Sequence, residues 1–268
     1  MRRILSFDCC GAQCAATLDE AAGTTGLLIV SGGNEIRVGA HRGMAKLARD
    51  VAAAGHPVFR FDRRGIGDSE GENGGFTSSA ADIFCAVAAF KRHCQQLTRI
   101  VAFGNCDAAS ALMLHRPDGI DAAILANIWV IEPVDDLPSQ AAIKARYREK
   151  LFDPKAWVRL ITGSINIRKL ISGLIKVAKP QPLSTLAAQV ATGMKAFTGP
   201  LTLLLCDRDG TAIAFADEWT KPAFESVRFR KDVTLERLDS ASHSFASDDD
   251  YATLKRHILS MLSAQAKP

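Results

Sequence analysis

The chain has 268 residues, 47% of them hydrophobic and 23% charged, with a formal net charge of +4. These totals are ordinary for a globular protein and fit one large domain, or one domain carrying an insert. The charge is too mild to point to nucleic acid, no window reaches the roughly 18 apolar residues of a membrane span, and the opening MRRILSFD is too short an apolar run for a secretory leader.

Seven cysteines are scattered along the chain. Cys9, Cys10 and Cys14 lack partners at zinc-site spacing, so neither a metal nor another cofactor is expected. The odd count predicts a reducing, cytoplasmic setting, with most thiols serving as small core residues.

Residues 2–8 and 13–18 read as a short hairpin around Cys10-Gly11-Ala12. Gly26-Leu27-Leu28-Ile29-Val30 is a continuous apolar run, the pattern of a strand buried on both faces. It empties into Ser31-Gly32-Gly33-Asn34. A helical pattern over about 40–54 stops at Gly55. The next strand, 57–61, opens into a glycine-rich loop over 62–71. A helix over about 78–95 leads to a strand at 99–103. Further strands follow at 122–126, 201–205 and 233–238, and a last helix covers about 248–264. This alternation predicts a mostly parallel, doubly wound α/β sheet whose strand C-termini carry function.

Residues 134–198 break the rhythm, with helical patterns interrupted by prolines and no clear strand. They predict a helical cap inserted into a core made of 1–133 and 199–268. Over 139–197 eleven basic residues face two acidic ones. Within 167–179, Arg168, Lys169, Lys176 and Lys179 share one helical face and the apolar residues take the other. The plain reading is a cap helix with a solvated back. The sharper one is a docking face for an anionic partner, such as an acyl carrier protein, CoA or an anionic membrane surface.

The chemistry concentrates in IVAFGNCDAAS, residues 100–110. An apolar strand runs into Gly104-Asn105-Cys106-Asp107-Ala108, and a small-residue helix follows. This is the strand–turn–helix of the nucleophile elbow G-x-S-x-G, with Cys for Ser and Ala for the last Gly. A side chain at that apex sits at a helix N-terminus, which favours an anion. Cys106 is therefore the candidate nucleophile; the plain alternative is a structural thiol. His243, in a short polar loop after the last strand, is the candidate base. The orienting acid should come between them in the chain. Asp209 fits best, while Asp207 reads as a turn carboxylate beside Arg208. An oxyanion hole needs two backbone N–H groups: one from Asp107, the other from Gly33 or Asn34.

These residues resemble the α/β-hydrolase superfamily over nearly the whole chain. Asp62-x-Arg64-Gly65-x-Gly67-x-Ser69 is similar to a loop common in its esterase, lipase-like and peptidase branches. Within the superfamily the chain looks most like the exosortase A system-associated hydrolase 1 group. The resemblance is carried by Gly32-Gly33, Arg37-Val38-Gly39-x-His41-Arg42, Arg60-Phe61-Asp62 and Gly104-x-Cys106-Asp107-Ala108-Ala109, with Trp157 and Asn166-x-Arg168 in the cap. It implies an α/β-hydrolase fold with an inserted helical cap, and a setting in bacterial exopolysaccharide and protein-sorting gene clusters. The chain departs from the common pattern in having Ser31-Gly32 where a His-Gly pair is usual. Arg37, His41, Arg42 and Asp207 stay as substrate-contacting or structural candidates.

The function expected is a hydrolase of a carboxylic ester, thioester or lactone, working through a Cys-His-Asp triad on a small-molecule acyl substrate. Transfer of an acyl group from a carrier or CoA to an alcohol or sugar is the alternative. A ligand-binding homologue without catalysis is a second one.

Overall fold

The computed structural model describes residues 1–131 and 184–264. It opens with strands Arg2–Cys9 (β1) and Ala12–Asp19 (β2), paired antiparallel. Cys10 and Gly11 between them both have positive φ, at 55° and 86°, the two-residue turn whose twist suits a hairpin. Then come Thr25–Val30 (β3), Gly43–Ala53 (α1), Val58–Phe61 (β4), Ala80–His93 (α2), Arg99–Asn105 (β5), Asp107–His115 (α3) and Ala122–Ala126 (β6). After the gap in description follow Thr185–Ala196 (α4), Leu201–Cys206 (β7), Gly210–Trp219 (α5), Glu225–Arg228 (α6), Val233–Leu238 (β8) and Asp248–Ser263 (α7). The alternating expectation thus holds strand by strand. The α5 helix was not anticipated.

Eight strands form one sheet in the order β1-β2-β4-β3-β5-β6-β7-β8. Among the described strands only the β1–β2 and β2–β4 pairings are antiparallel. The central strands are buried almost throughout, and their successive residues face opposite sides of the sheet. Leu28, Val30, Phe59, Phe61 and Ala102 join one core with α2, α3, α4 and α5. Leu27, Ile29, Val58, Val101 and Phe103 join the other with α1 and α7. Two buried faces explain the unbroken apolar runs, each large side chain contributing about 1.5–3 kcal/mol. The chain order reverses between β3, which leads back to β4, and β5, which leads on to β6. At such a switch point the loops part and leave a crevice at the strand C-termini.

The cap expected over 134–198 lies outside the described residues as far as 183, as do its basic face, Trp157 and Asn166. Its last stretch is α4, which belongs to the core layer instead. Leu186, Val190 and Met194 are buried, and Gly193 meets the elbow helix so closely that a Cβ there would lie 2.0 Å from the Met113 carbonyl oxygen. Apolar spacing alone does not separate a helix covering the site from one packed beneath it. Among the described residues no helix is long and apolar enough to cross a membrane.

Candidate active site

β5 delivers the chain to Cys106 and α3 takes it away. Cys106 has φ 60° and ψ −128°, outside the regions an L-residue favours. The turn is possible because its neighbours are small. A Cβ on Gly104 would sit 2.8 Å from the Ala108 carbonyl carbon and the Ala109 nitrogen. The Cys106 N–H donates to the Ala126 carbonyl at 2.9 Å, and its own carbonyl accepts from Trp129 N–H at 3.2 Å. The thiol is half-buried at the N-terminus of α3.

Asp209 lies three residues past the end of β7 and caps α5. Its Oδ1 accepts from the Thr211 and Ala212 N–H groups, both at 3.0 Å. That leaves Oδ2 for His243 Nδ1, at 3.0 Å. Burial alone would raise the Asp209 carboxyl, but His243 and the two amides hold it below the usual carboxylate range. The Asp209 hydrogen bond first, and then the neighbouring Cys106 thiol, push His243 from the ordinary 6.5 up to about 10 against its partial burial. The ring is therefore cationic at neutral pH. The structure brings Cys106, His243 and Asp209 together at one edge of the sheet.

Asp207 stands apart. Its carboxylate pairs with Arg237 at 2.8 Å, not with the adjacent Arg208, which reaches Asp239 at 3.3 Å.

The loop after β3 approaches the elbow as expected. A Cβ on Gly32 would lie 2.5 Å from the Asn105 carbonyl oxygen and 2.9 Å from Asp107 Oδ1. Gly33 has φ 56°, and its N–H donates to Asp107 Oδ1 at 2.6 Å, while its carbonyl accepts from the Arg63 guanidinium. In this conformation the Gly33 donor is thus taken by a carboxylate. Asn34 is exposed and accepts at Oδ1 from Asn73 at 2.9 Å.

Arg37 is a scaffold residue. Its guanidinium holds buried Asp62, and also reaches Thr17 Oγ1 at 3.2 Å and Asp68 at 3.0 Å. Asp62 and Ser69 knit the glycine-rich loop to the hairpin, Ser69 Oγ donating to the Asp62 carbonyl at 2.8 Å and accepting from Ala15 N–H at 2.9 Å. His41 and Arg42 are exposed, with left-handed φ, in the turn entering α1.

Cys9, Cys14 and Asp82 place their ligand atoms within 4.8 Å of one another. Both Asp82 oxygens already accept from the Arg64 guanidinium, at 3.0 and 3.2 Å, and burial pushes the Cys14 thiol up to about 11. A cation held by Asp82 and neutral thiols describe a core cluster better than a metal centre.

Two residues at the site escaped the sequence reading. Asn105 and Asn127 both point their side-chain amides at the His243 carbonyl, at 3.0 and 3.2 Å. The one signal was a polar residue ending each of two apolar strands.

No protein-family profile matches the chain, and no curated protein does. Solved structures match over 97–98% of its length. The chain is similar to the esterase Pf2001 of Pyrococcus furiosus, at 13% identity over 97% of this chain and 92% of that one, with a TM-score of 0.65. It is also similar to the α/β hydrolase GrgF of Penicillium sp. sh18, at 15% identity over 98% of each chain, TM-score 0.65. A thioesterase domain from the curacin biosynthetic pathway matches at 16% identity over 97% of this chain and 99% of that one, TM-score 0.58. With its sheet order, its elbow and these neighbours, the chain has the α/β-hydrolase fold.

Proposed function

We propose that the protein is an acyl hydrolase that opens an ester, thioester or lactone through Cys106, His243 and Asp209. One observation carries this reading: His243, hydrogen-bonded to Asp209 at 3.0 Å, neighbours the thiol at the apex of a strained elbow closely enough to be perturbed by it. The thiolate attacks the acyl carbon, forming the C–S bond as the carbonyl electron pair moves to oxygen. Collapse of this intermediate expels the leaving group, which takes the proton of the His243 imidazolium. Water then loses a proton to His243 and attacks the thioester. The acid departs as the C–S bond breaks, with the proton taken from water left on His243. Asp209 keeps Nδ1–H oriented throughout. The oxyanion is held by the Asp107 N–H and the Gly33 N–H, the latter once the substrate oxygen replaces Asp107 Oδ1.

The esterase and thioesterase neighbours agree with this reaction class. The likeness of Gly104-x-Cys106-Asp107-Ala108-Ala109 to the exosortase-associated hydrolases belongs to the same proposal, as does a cytoplasmic setting. An acyl carrier protein or CoA as donor rests on the basic stretch 139–197 alone, outside the described residues but for its end. The test is turnover of short-chain nitrophenyl esters and acyl-CoA. Wild-type protein should hydrolyse members of one panel and Cys106→Ala none. Full activity in Cys106→Ala would overturn the assignment.

A further inference from the structure

β6 lies between the strand of the nucleophile and the strand of the acid. It brings no titratable side chain to the site. It is followed directly by Asn127, fully buried and with φ 41°, a left-handed conformation that asparagine tolerates. The Asn127 N–H continues the ladder onto the Leu204 carbonyl at 2.9 Å. Its Oδ1 accepts from Cys206 N–H at 2.9 Å. Its Nδ2 donates to the His243 carbonyl at 3.2 Å and to Asn105 Oδ1 at 3.3 Å. Asn105 Nδ2 donates to the same His243 carbonyl at 3.0 Å. A backbone N–H only donates and a carbonyl only accepts, so these partners fix which way the Asn127 amide faces.

The partners are not arbitrary. Asn105 precedes Cys106, Cys206 stands three residues before Asp209, and the third is His243 itself. The residues flanking Asn127 serve the elbow too, since the Ala126 carbonyl and the Trp129 N–H take the two backbone groups of Cys106. His243 sits in an irregular loop between β8 and α7, where no ladder holds it. An apolar side chain of the same size would leave the Cys206 N–H without its partner and remove one of the two amide donors to the His243 carbonyl.

We infer that Asn127 is a positioning residue whose single buried amide ties the nucleophile, acid and base segments into one register. The inference rests on the triad reading above. Its consequence is that the His243–Asp209 contact loosens when the amide is removed, even in protein that stays folded.

The test uses the full chain, with the His243 imidazole titration followed by NMR in Asn127→Ala and Asn127→Leu. Leu keeps about the same volume but offers neither an acceptor for Cys206 N–H nor a donor to the His243 carbonyl. In both variants the His243 midpoint should fall from near 10 toward 6.5 by at least one unit. The kcat on a turned-over ester should drop roughly tenfold or more, with KM within about twofold. An unchanged midpoint in either folded variant, whatever its melting temperature, overturns the inference. Should both fail to fold, Asn105→Ala removes one of the two donors to the same carbonyl. Its midpoint should move in the same direction, and no movement overturns the inference as well. His243→Ala separates the two proposals. If Cys106 alkylation by iodoacetamide is unaffected by that change, the triad reading fails, while the midpoint result still decides the role of Asn127.

Discussion

Cys106 is held in a conformation that costs on the order of 1–3 kcal/mol, and backbone bonds to β6 and the following loop sustain it. The return is a sulfur at a helix N-terminus beside a cationic ring. The raised His243 has a direct pH signature. Its folded value, about 10, lies above the ordinary 6.5, so the stability it adds is complete below pH 6.5 and is lost as pH rises toward 10. The stability gap between wild type and His243→Ala, measured by urea unfolding, should therefore narrow from pH 6 to pH 10. A constant gap would contradict the paired imidazolium. Asp107 gives a second prediction. On the proposed oxyanion role of the Gly33 N–H, this carboxylate competes with the substrate oxygen, so Asp107→Ala should raise kcat/KM by about fivefold, the order of one hydrogen bond. A fall of that size would mean that the carboxylate serves to hold the loop.

At the scale of elements, the elbow depends on how closely α3 passes over β5. Gly104→Ala drives a Cβ into helix backbone at 2.8 Å. Backbone cannot swing aside as a side chain can, so the variant should lose about 2 kcal/mol or more in chemical denaturation. A loss below about 0.5 kcal/mol would contradict the packing described. Much of this element was legible in the sequence, because Gly104, Cys106 and Ala108 are local and the apolar run before them is unbroken. The α5 helix was not. Its stretch GTAIAFADEW is apolar with weak periodicity, and Phe215 and Trp219 find their place only against Phe224. The α4 helix was legible as a helix but not in its position, which is set by Gly193 meeting Met113 in a distant segment.

At the scale of the whole molecule, the reversal at β3 and β5 brings Gly33 within reach of the elbow, and β7 and β8 bring Asp209 and His243 to the same edge. The three triad candidates could be read from sequence because each follows a recognisable apolar strand in a fixed chain order. Asn127 could not, since its partners lie 79 and 116 positions away and no local pattern announces them. The Asp107–Gly33 contact spans 74 positions and was hidden for the same reason. These long-range contacts gather around the elbow and the His243–Asp209 pair. The most direct test is intact-mass analysis of the protein quenched during turnover of an activated short-chain ester. The account predicts one added acyl mass, mapping to the peptide with Cys106 and absent from Cys106→Ala. An acyl group on another residue, or an acylated Cys106→Ala protein, would contradict it.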